Sequence, residues 1–212
     1  YSQALSQLNS LLQRDLSKYD ESTIREIRAS VYVGLDNLPA ALNDFVRIIE
    51  IDELPFDRLK QIRNNVAQLY FATENFSQAV RFMEQFIAEE GASNIQDDNV
   101  WFILAAAYSQ LDRYQEARRP AERAKQYDTK NQKKNFDLLN LIYSELGQRQ
   151  PRLALLEEAI QYFPNEKGYW IQLTGLYGEL DRPKDALATL EAAYNAGLVS
   201  DEPTIRRLAE YY

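Results

Sequence analysis

The sequence contains neither cysteine nor histidine. This double absence removes thiol nucleophiles, imidazole bases, the Ser-His-Asp triad, disulfides, and zinc sites built on His or Cys. Any acid-base work would fall to Asp and Glu. Glycine and proline are also sparse, seven of each in 212 residues, while 45% of the chain is hydrophobic and 26% charged. A composition so close to ordinary globular usage describes a folded chain rather than a disordered tail. No stretch approaches the roughly 18 apolar residues of a membrane span, which argues against direct membrane insertion. The opening YSQALSQLNSLLQRDL lacks the basic-then-apolar order of a signal peptide. Because it starts at Tyr1 without an initiator Met, the chain is expected to be part of something longer. A lack of cysteine fits either redox compartment.

Positive charge is in deficit, with 24 Lys and Arg against 32 Asp and Glu and a formal charge of -8. Such a balance repels a phosphate backbone, so no nucleic acid is expected as partner. Residues 118–134 run the other way: Arg118, Arg119, Arg123, Lys125, Lys130, Lys133 and Lys134 stand against Glu122 and Asp128. That asymmetry either steers an acidic partner or is a solvated helix face, and the second reading is favoured. There is no Gly-rich phosphate loop, no GxSxG elbow and no metal-ligand cluster. The neighbouring carboxylates Asp97-Asp98, Glu89-Glu90 and Glu157-Glu158 do not converge two groups on one substrate atom by adjacency alone. The expectation is a non-catalytic protein without metal or cofactor.

What is present is self-similarity. One phrase returns as VYVGLDNLPAALNDF, QLYFATENFSQAVRF, AAYSQLDRYQEARRP, LIYSELGQRQPRLAL and GLYGELDRPKDALAT. Each copy places a Tyr near the end of one amphipathic segment, then a short polar turn, then usually an Ala opening a second segment. That is a helix-turn-helix hairpin written five times. The Tyr ladder of Tyr32, Tyr70, Tyr108, Tyr143, Tyr177 and Tyr212 has steps of 38, 38, 35, 34 and 35 residues.

With this period and these residues the sequence resembles the tetratricopeptide repeat family. Trp101, Leu104, Ala105, Tyr108, Ala117 and Ala124 fall on the family motif, as do Trp170, Leu173, Tyr177, Ala186 and Ala193. Degenerate copies keep Ala29, Tyr32, Ala41 and Phe45; Val66, Ala67, Tyr70 and Ala79; and Leu139, Tyr143, Ala159 and Pro164. The resemblance implies an all-α, tetratricopeptide-type superhelical solenoid of antiparallel helix pairs. Residues 1–18 would supply the second helix of an incomplete repeat. Repeats follow at 22–53, 60–90, 98–128, 133–164 and 167–197, and residues 202–212, with Pro203, Ile205, Leu208, Ala209 and Tyr212, begin a further repeat or form a cap.

Several positions depart from the motif. Arg152 stands where the fourth copy should have a small Ala, so the stack is expected to open or shift there. Pro120 should kink or delay its helix. Thr174 replaces a small residue, and extra residues near Leu54-Pro55-Phe56 and Gly91-Ala92-Ser93-Asn94 predict longer loops between repeats.

The family uses the groove lined by its first helices to hold peptides. Carried onto this sequence, the groove positions are Glu26, Ser30 and Val33; Asn64, Gln68 and Phe71; Phe102, Ala106 and Ser109; Asp137 and Leu141; and Ile171 and Gly175. Phe71, Phe102, Leu141 and Ile171 are the apolar candidates, since large apolar groups in a groove stay wet without a partner; packing on a neighbouring helix is the alternative. Asn64, Asn65 and Gln68 have amides suited to a peptide backbone. The carboxylate clamp of some relatives is excluded, because Glu26 and Ser30 occupy its first two positions. The resemblance thus implies a scaffold for a protein or peptide partner, with a structural part in a homo-oligomer or larger complex as the alternative. A narrower resemblance covers about one repeat: GYWIQLTGLYGELDRPKDALATLEAAYNAGLV is similar to the end of tetratricopeptide proteins that accompany TonB-type energy-transduction systems in Gram-negative bacteria. It implies a periplasmic helper protein; a cytoplasmic one is the alternative.

Overall fold

A computed structural model describes residues 2–200. The helix expected around Pro203, Ile205, Leu208, Ala209 and Tyr212 lies outside the described residues. Among the described residues the secondary structure is helical: α1 (Ser2–Leu11), α2 (Lys18–Gly34), α3 (Leu38–Ile51), α4 (Phe56–Ala72), α5 (Phe76–Glu90), α6 (Asp98–Gln110), α7 (Tyr114–Tyr127), α8 (Lys133–Glu145), α9 (Arg149–Tyr162), α10 (Lys167–Glu179) and α11 (Pro183–Asn195). They fall into two compact units, Tyr1–Arg113 and Tyr114–Tyr212. In the first, α2 packs on α3, α3 on α4, α4 on α5 and α5 on α6; in the second, successive helices from α7 to α11 pack in the same way.

The hairpin turn is the same structure each time, and the Tyr ladder marks it. Four residues after Tyr32, Tyr70, Tyr108, Tyr143 and Tyr177, the backbone enters the left-handed region: Asp36 (φ 57°), Glu74 (60°), Asp112 (56°), Gly147 (64°) and Asp181 (56°). The next amide then returns to the Tyr carbonyl, from Asn37, Asn75, Arg113, Gln148 and Arg182 at 2.9, 2.8, 2.9, 2.8 and 2.9 Å. The left-handed residue itself donates to the carbonyl three back, as Asp36 does to Val33 and Gly147 to Ser144. This paired closure is the Schellman motif, which satisfies the orphan carbonyls of the first helix and turns the chain into the second. Asn37 and Asn75 then cap α3 and α5 by accepting from Ala40 and Gln78.

Small residues let the helices approach. Ala29, Ala67, Ala105, Ala41, Ala79, Ala117 and Ala186 are all fully buried, at seams where a longer side chain would hold the backbones apart. Both tryptophans anchor the segment before their own helix. Trp101 donates its indole N–H to the Ile95 carbonyl and Trp170 to the Pro164 carbonyl, each six residues earlier, at 3.0 and 2.8 Å.

The departures from the motif are resolved individually. Pro120 neither delays nor interrupts α7, which starts at Tyr114 and continues to Tyr127 with Pro120 buried beside Ala117, Ala121 and Ala124. The extra residues near Pro55 lengthen a helix instead of a loop. Pro55 sits at the N-cap, and the apolar spacing of Leu59, Ile62 and Val66 carries α4 to 17 residues, against 13 for α6 and α8. Near Gly91 the expected longer loop is present, residues 91–97. Thr174 is buried and satisfies its hydroxyl on the Trp170 carbonyl at 2.9 Å. At Arg152 the stack does not open: α9 packs on α8 and α10, and Leu153, Leu155, Leu156 and Ala159 are buried.

Candidate functional site

Along α4 the side chains at Asp57, Gln61, Asn64, Asn65 and Gln68 recur at helical spacing and so share one face. That face borders two cavities of the first unit. One, about 310 Å³, is lined by Ser30 and Val33 of α2, Phe45 of α3, and Asn65, Gln68 and Leu69 of α4. The other, about 520 Å³, is lined by Asp57, Lys60, Gln61, Asn64, Asn65, Phe86 and Glu90. Asn65 lines both, which makes α4 the shared wall. Val33 remains 43% exposed, and Gln68 donates to the Asn64 side chain at 3.3 Å. Ser30, Val33, Gln68 and Asn64, expected in a common groove, therefore border this pair of cavities.

The chemistry of the larger cavity is ionic at one end. Lys60 is held by Glu90 at 2.6 Å and by Asp57 at 3.2 Å, and hydrogen bonds to those two carboxylates raise its pKa above the ordinary lysine value. Glu26, mapped to the same groove, is tied to Arg58 of α4. The remaining sequence-derived positions are placed differently. Phe71 packs edge-on against Phe76, with ring centroids 5.6 Å apart. Phe102 is half-buried, and Ala106, 8% exposed, offers almost no surface. Ser109 is buried and donates to the Ala105 carbonyl. In the second unit Asp137 is exposed but engaged, receiving Lys133 at 2.9 Å and the Tyr169 hydroxyl at 2.7 Å. Ile171 packs on Leu190, Ala193 and Val199. Leu141 is 44% exposed.

Sequence reasoning missed Phe45 and Leu69, which bring apolar surface to the smaller cavity, and Gln61, which extends the amide stripe. The stripe was available in the sequence, since Gln61, Asn65 and Gln68 are spaced four and three apart. Phe45 was not, because it reaches the cavity from α3, whereas Val33 already stood among the expected groove positions.

The basic run at 118–134 does not form one free cationic face. Lys125 pairs with Glu158 at 2.7 Å and Lys133 with Asp137 and Glu166. Asp128 is buried and collects the amides of Lys130 and Gln132 and the side chain of Asn135. Burial opposes its ionisation, but those hydrogen bonds outweigh it and hold its pKa below the ordinary value. The adjacent carboxylates have structural partners as well: Glu89 takes Arg63 and Glu90 takes Lys60, Glu157 takes Tyr177 and Glu158 takes Lys125, and Asp97 caps α6. Among the described residues no group of three or more acidic side chains could hold a metal ion, and no helix is long and apolar enough to cross a membrane.

No protein-family model matches the sequence, and no curated protein does. Solved structures do match the fold. YrrB, described as a TPR protein with an unusual peptide-binding site, aligns with a TM-score of 0.70 at 13% identity over 96% of this chain and 97% of its own. A tetratricopeptide repeat protein from Parabacteroides merdae aligns with a TM-score of 0.58 at 14% identity, over 90% of this chain and 71% of its own. A MamA segment from Desulfovibrio magneticus gives 0.63 at 13% identity, over 83% and 94%. The fold is therefore all-α and of tetratricopeptide type, made of antiparallel helix pairs.

Proposed function

We propose that this chain is a non-catalytic protein-protein interaction scaffold that receives a peptide or protein segment along α4. The observation that carries this reading is the cavity of about 310 Å³ where Val33 and Leu69 stand beside the amides of Asn65 and Gln68. A primary amide both donates and accepts, as a peptide backbone does, so it can pair with an extended chain of many sequences. Val33 and Leu69 supply the apolar area that gives such a contact its energy. The fold it shares with YrrB, whose own structure is described by its peptide-binding site, supports the same reading. Within it, Asn64, Gln68, Phe71, Phe102 and Ala106 of the first unit, and Asp137, Leu141 and Ile171 of the second, are the proposed partner contacts; Asp137 and Leu141 are exposed, and Asn64 and Gln68 line the two cavities.

The test is selection of binding peptides from a random display library, followed by affinity measurement against Val33→Asp combined with Gln68→Ala. The expected result is at least a tenfold loss of affinity with an unchanged helical circular-dichroism signal. Equal affinity for the variant would reject the site. If the structural alternative holds, sedimentation will instead show concentration-dependent self-association that the same variant disrupts.

The finer reading, a periplasmic accessory of a TonB-type transport system, rests on residues 168–199, which include all but the first residue of α10, and α11 with the turn after it. Osmotic-shock fractionation of cells expressing the native gene tests it. Recovery with cytoplasmic markers would overturn this placement without touching the scaffold reading.

A further inference from the structure

Among the described residues of the second unit, Arg152 is held without a carboxylate. Arg152, standing where the repeat motif has a small Ala, projects from α9 between α8 and α10. Its Nε donates to Asn140 Oδ1 at 2.9 Å and its Nη2 to Gln172 Oε1 at 3.0 Å. Asn140 in turn donates to the same Gln172 oxygen at 2.8 Å. All of these partners are neutral, and Arg152 pairs with no carboxylate among the described residues. A guanidinium carries five N–H donors, so the network fixes its position while using two of them. Arg152 then lines a cavity of about 260 Å³ together with Tyr143, Ser144, Gly147, Arg149 and Glu179. Arg149 and Glu179 offset one another at 3.3 Å. Among the described residues that line the cavity, two guanidinium groups face one carboxylate, an excess of one positive charge.

We infer that this cavity is a subsite for a single carboxylate side chain, Asp or Glu, of a bound partner segment. The inference rests on the interaction-scaffold reading and names one chemical feature of the partner. Preorganisation favours it: Asn140 and Gln172 already hold the guanidinium, so little side-chain entropy is lost when a carboxylate arrives. A charge-assisted, two-pronged Arg-carboxylate pair is the geometry such a group is built for. Ser144 adds a hydroxyl donor on the wall. Glu179 disfavours a doubly charged phosphate, whereas one carboxylate brings the cavity to neutrality. The site differs from a clamp on the first helices of the repeats, since its central cation comes from α9, a second helix.

The probe is N-acetyl-glutamate N-methylamide, titrated into the whole chain while the Arg152 side-chain Nε–Hε and the Ser144 backbone resonances are followed by NMR. Saturable shifts are expected with this probe, at least tenfold weaker with the glutamine analogue, and weakened by added salt. Arg152→Ala restores the small residue of the motif and should fold; in it the Ser144 shift is expected to vanish. Arg152→Gln keeps a polar group in the network but not the charge, and should lose binding equally. Three results would overturn the assignment: no saturable shift with the glutamate analogue up to its solubility limit, shifts that persist in Arg152→Ala, or tighter binding of the matching phosphoserine analogue. A protein that selects library peptides through α4 yet shows no response here retains the scaffold reading and loses only this subsite.

Discussion

The Tyr177 hydroxyl donates a 2.5 Å hydrogen bond to Glu157, tying α10 to the helix before it. Tyr143 reaches Glu122 of α7 in the same way at 3.2 Å, and Tyr108 reaches Glu84 of α5. Tyr108, Tyr143 and Tyr177 thus fill space with the ring, close the hairpin turn with the backbone carbonyl, and pin the preceding helix with the hydroxyl. Tyr70 follows another course, stacking on Phe82 with centroids 5.5 Å apart.

These bonds make stability depend on alkaline pH. Burial first, and then the adjacent carboxylates, push the phenols of Tyr143 and Tyr177 up to about 12. A folded-state pKa above the unfolded value of about 10 means that the folded chain holds more protons in that window. The contribution is therefore complete below pH 10 and is lost as pH rises through 12. Urea melts of wild type and the Tyr143→Phe, Tyr177→Phe double variant check this. The variant is expected to be less stable at pH 8, by about 1 kcal/mol per hydrogen bond, and to decline less steeply between pH 10 and 12. Parallel declines would contradict the assignment.

The repeat was legible in the sequence because its marks are local and periodic. Tyr108, Ala105 and Ala117 recur at fixed offsets, and the packing that needs them recurs too. The hydroxyl partners were not legible, since Glu84, Glu122 and Glu157 lie 24, 21 and 20 residues before their tyrosines and look like any solvated helix face. The left-handed turn position was also hidden, because Asp, Glu and Gly share it and only the backbone reveals what they have in common. Of the candidate groove, the amide stripe on α4 could be read by helical spacing. The seat of Arg152 could not, because it depends on Asn140 and Gln172 from two other helices.

The turn predicts opposite outcomes for two glycine substitutions. Gly147 has φ of 64° and open space where a Cβ would stand, so Gly147→Ala carries backbone strain without a clash. A cost of about 1 kcal/mol is expected. Glu74 occupies the equivalent left-handed position at φ 60° without the local hydrogen-bonding advantage of Asp. Relief of its strain should exceed the added unfolded-state entropy, so Glu74→Gly is expected to stabilise by several tenths of a kcal/mol. Thermal melts decide both; two shifts of the same sign would refute the common turn.

The alanine seams predict the cost of overpacking. Ala105 and Ala117 are fully buried on α6 and α7, and a leucine at either adds three carbons where no space is left. Ala105→Leu and Ala117→Leu should each cost about 1–3 kcal/mol. Ala192 on α11 is exposed, so Ala192→Leu is the control and should lie within about 0.5 kcal/mol of wild type. If Ala105→Leu or Ala117→Leu melts together with the control, these seams are loose.

The first unit buries an acid among its described residues. Asp44 of α3 has a side chain 1% exposed, and it receives Arg25 at 2.8 Å and both Nε and Nη2 of Arg28 at 2.7 and 2.6 Å. Arg28 is further held by Asn9 of α1 at 2.7 Å, so one carboxylate organises α1, α2 and α3. Hydrogen bonding to Asp44 outweighs the cost of burial and raises the Arg28 pKa. Removing the acid leaves the Arg28 guanidinium, 16% exposed, without a carboxylate, and Arg25, 20% exposed, with Glu21 alone at 2.7 Å. Asp44→Ala is expected to cost about 3–5 kcal/mol, enough to unfold α1–α3 locally. Hydrogen exchange should then show loss of protection in α2 and α3 while α8–α11 remain protected. Replacing all three groups together, with Arg25→Met, Arg28→Met and Asp44→Leu, should restore most of the stability, because the cost lies in the unpaired charges and not in the missing bonds. If the triple variant is as unstable as Asp44→Ala, the ionic cluster is a net stabiliser and the desolvation argument fails.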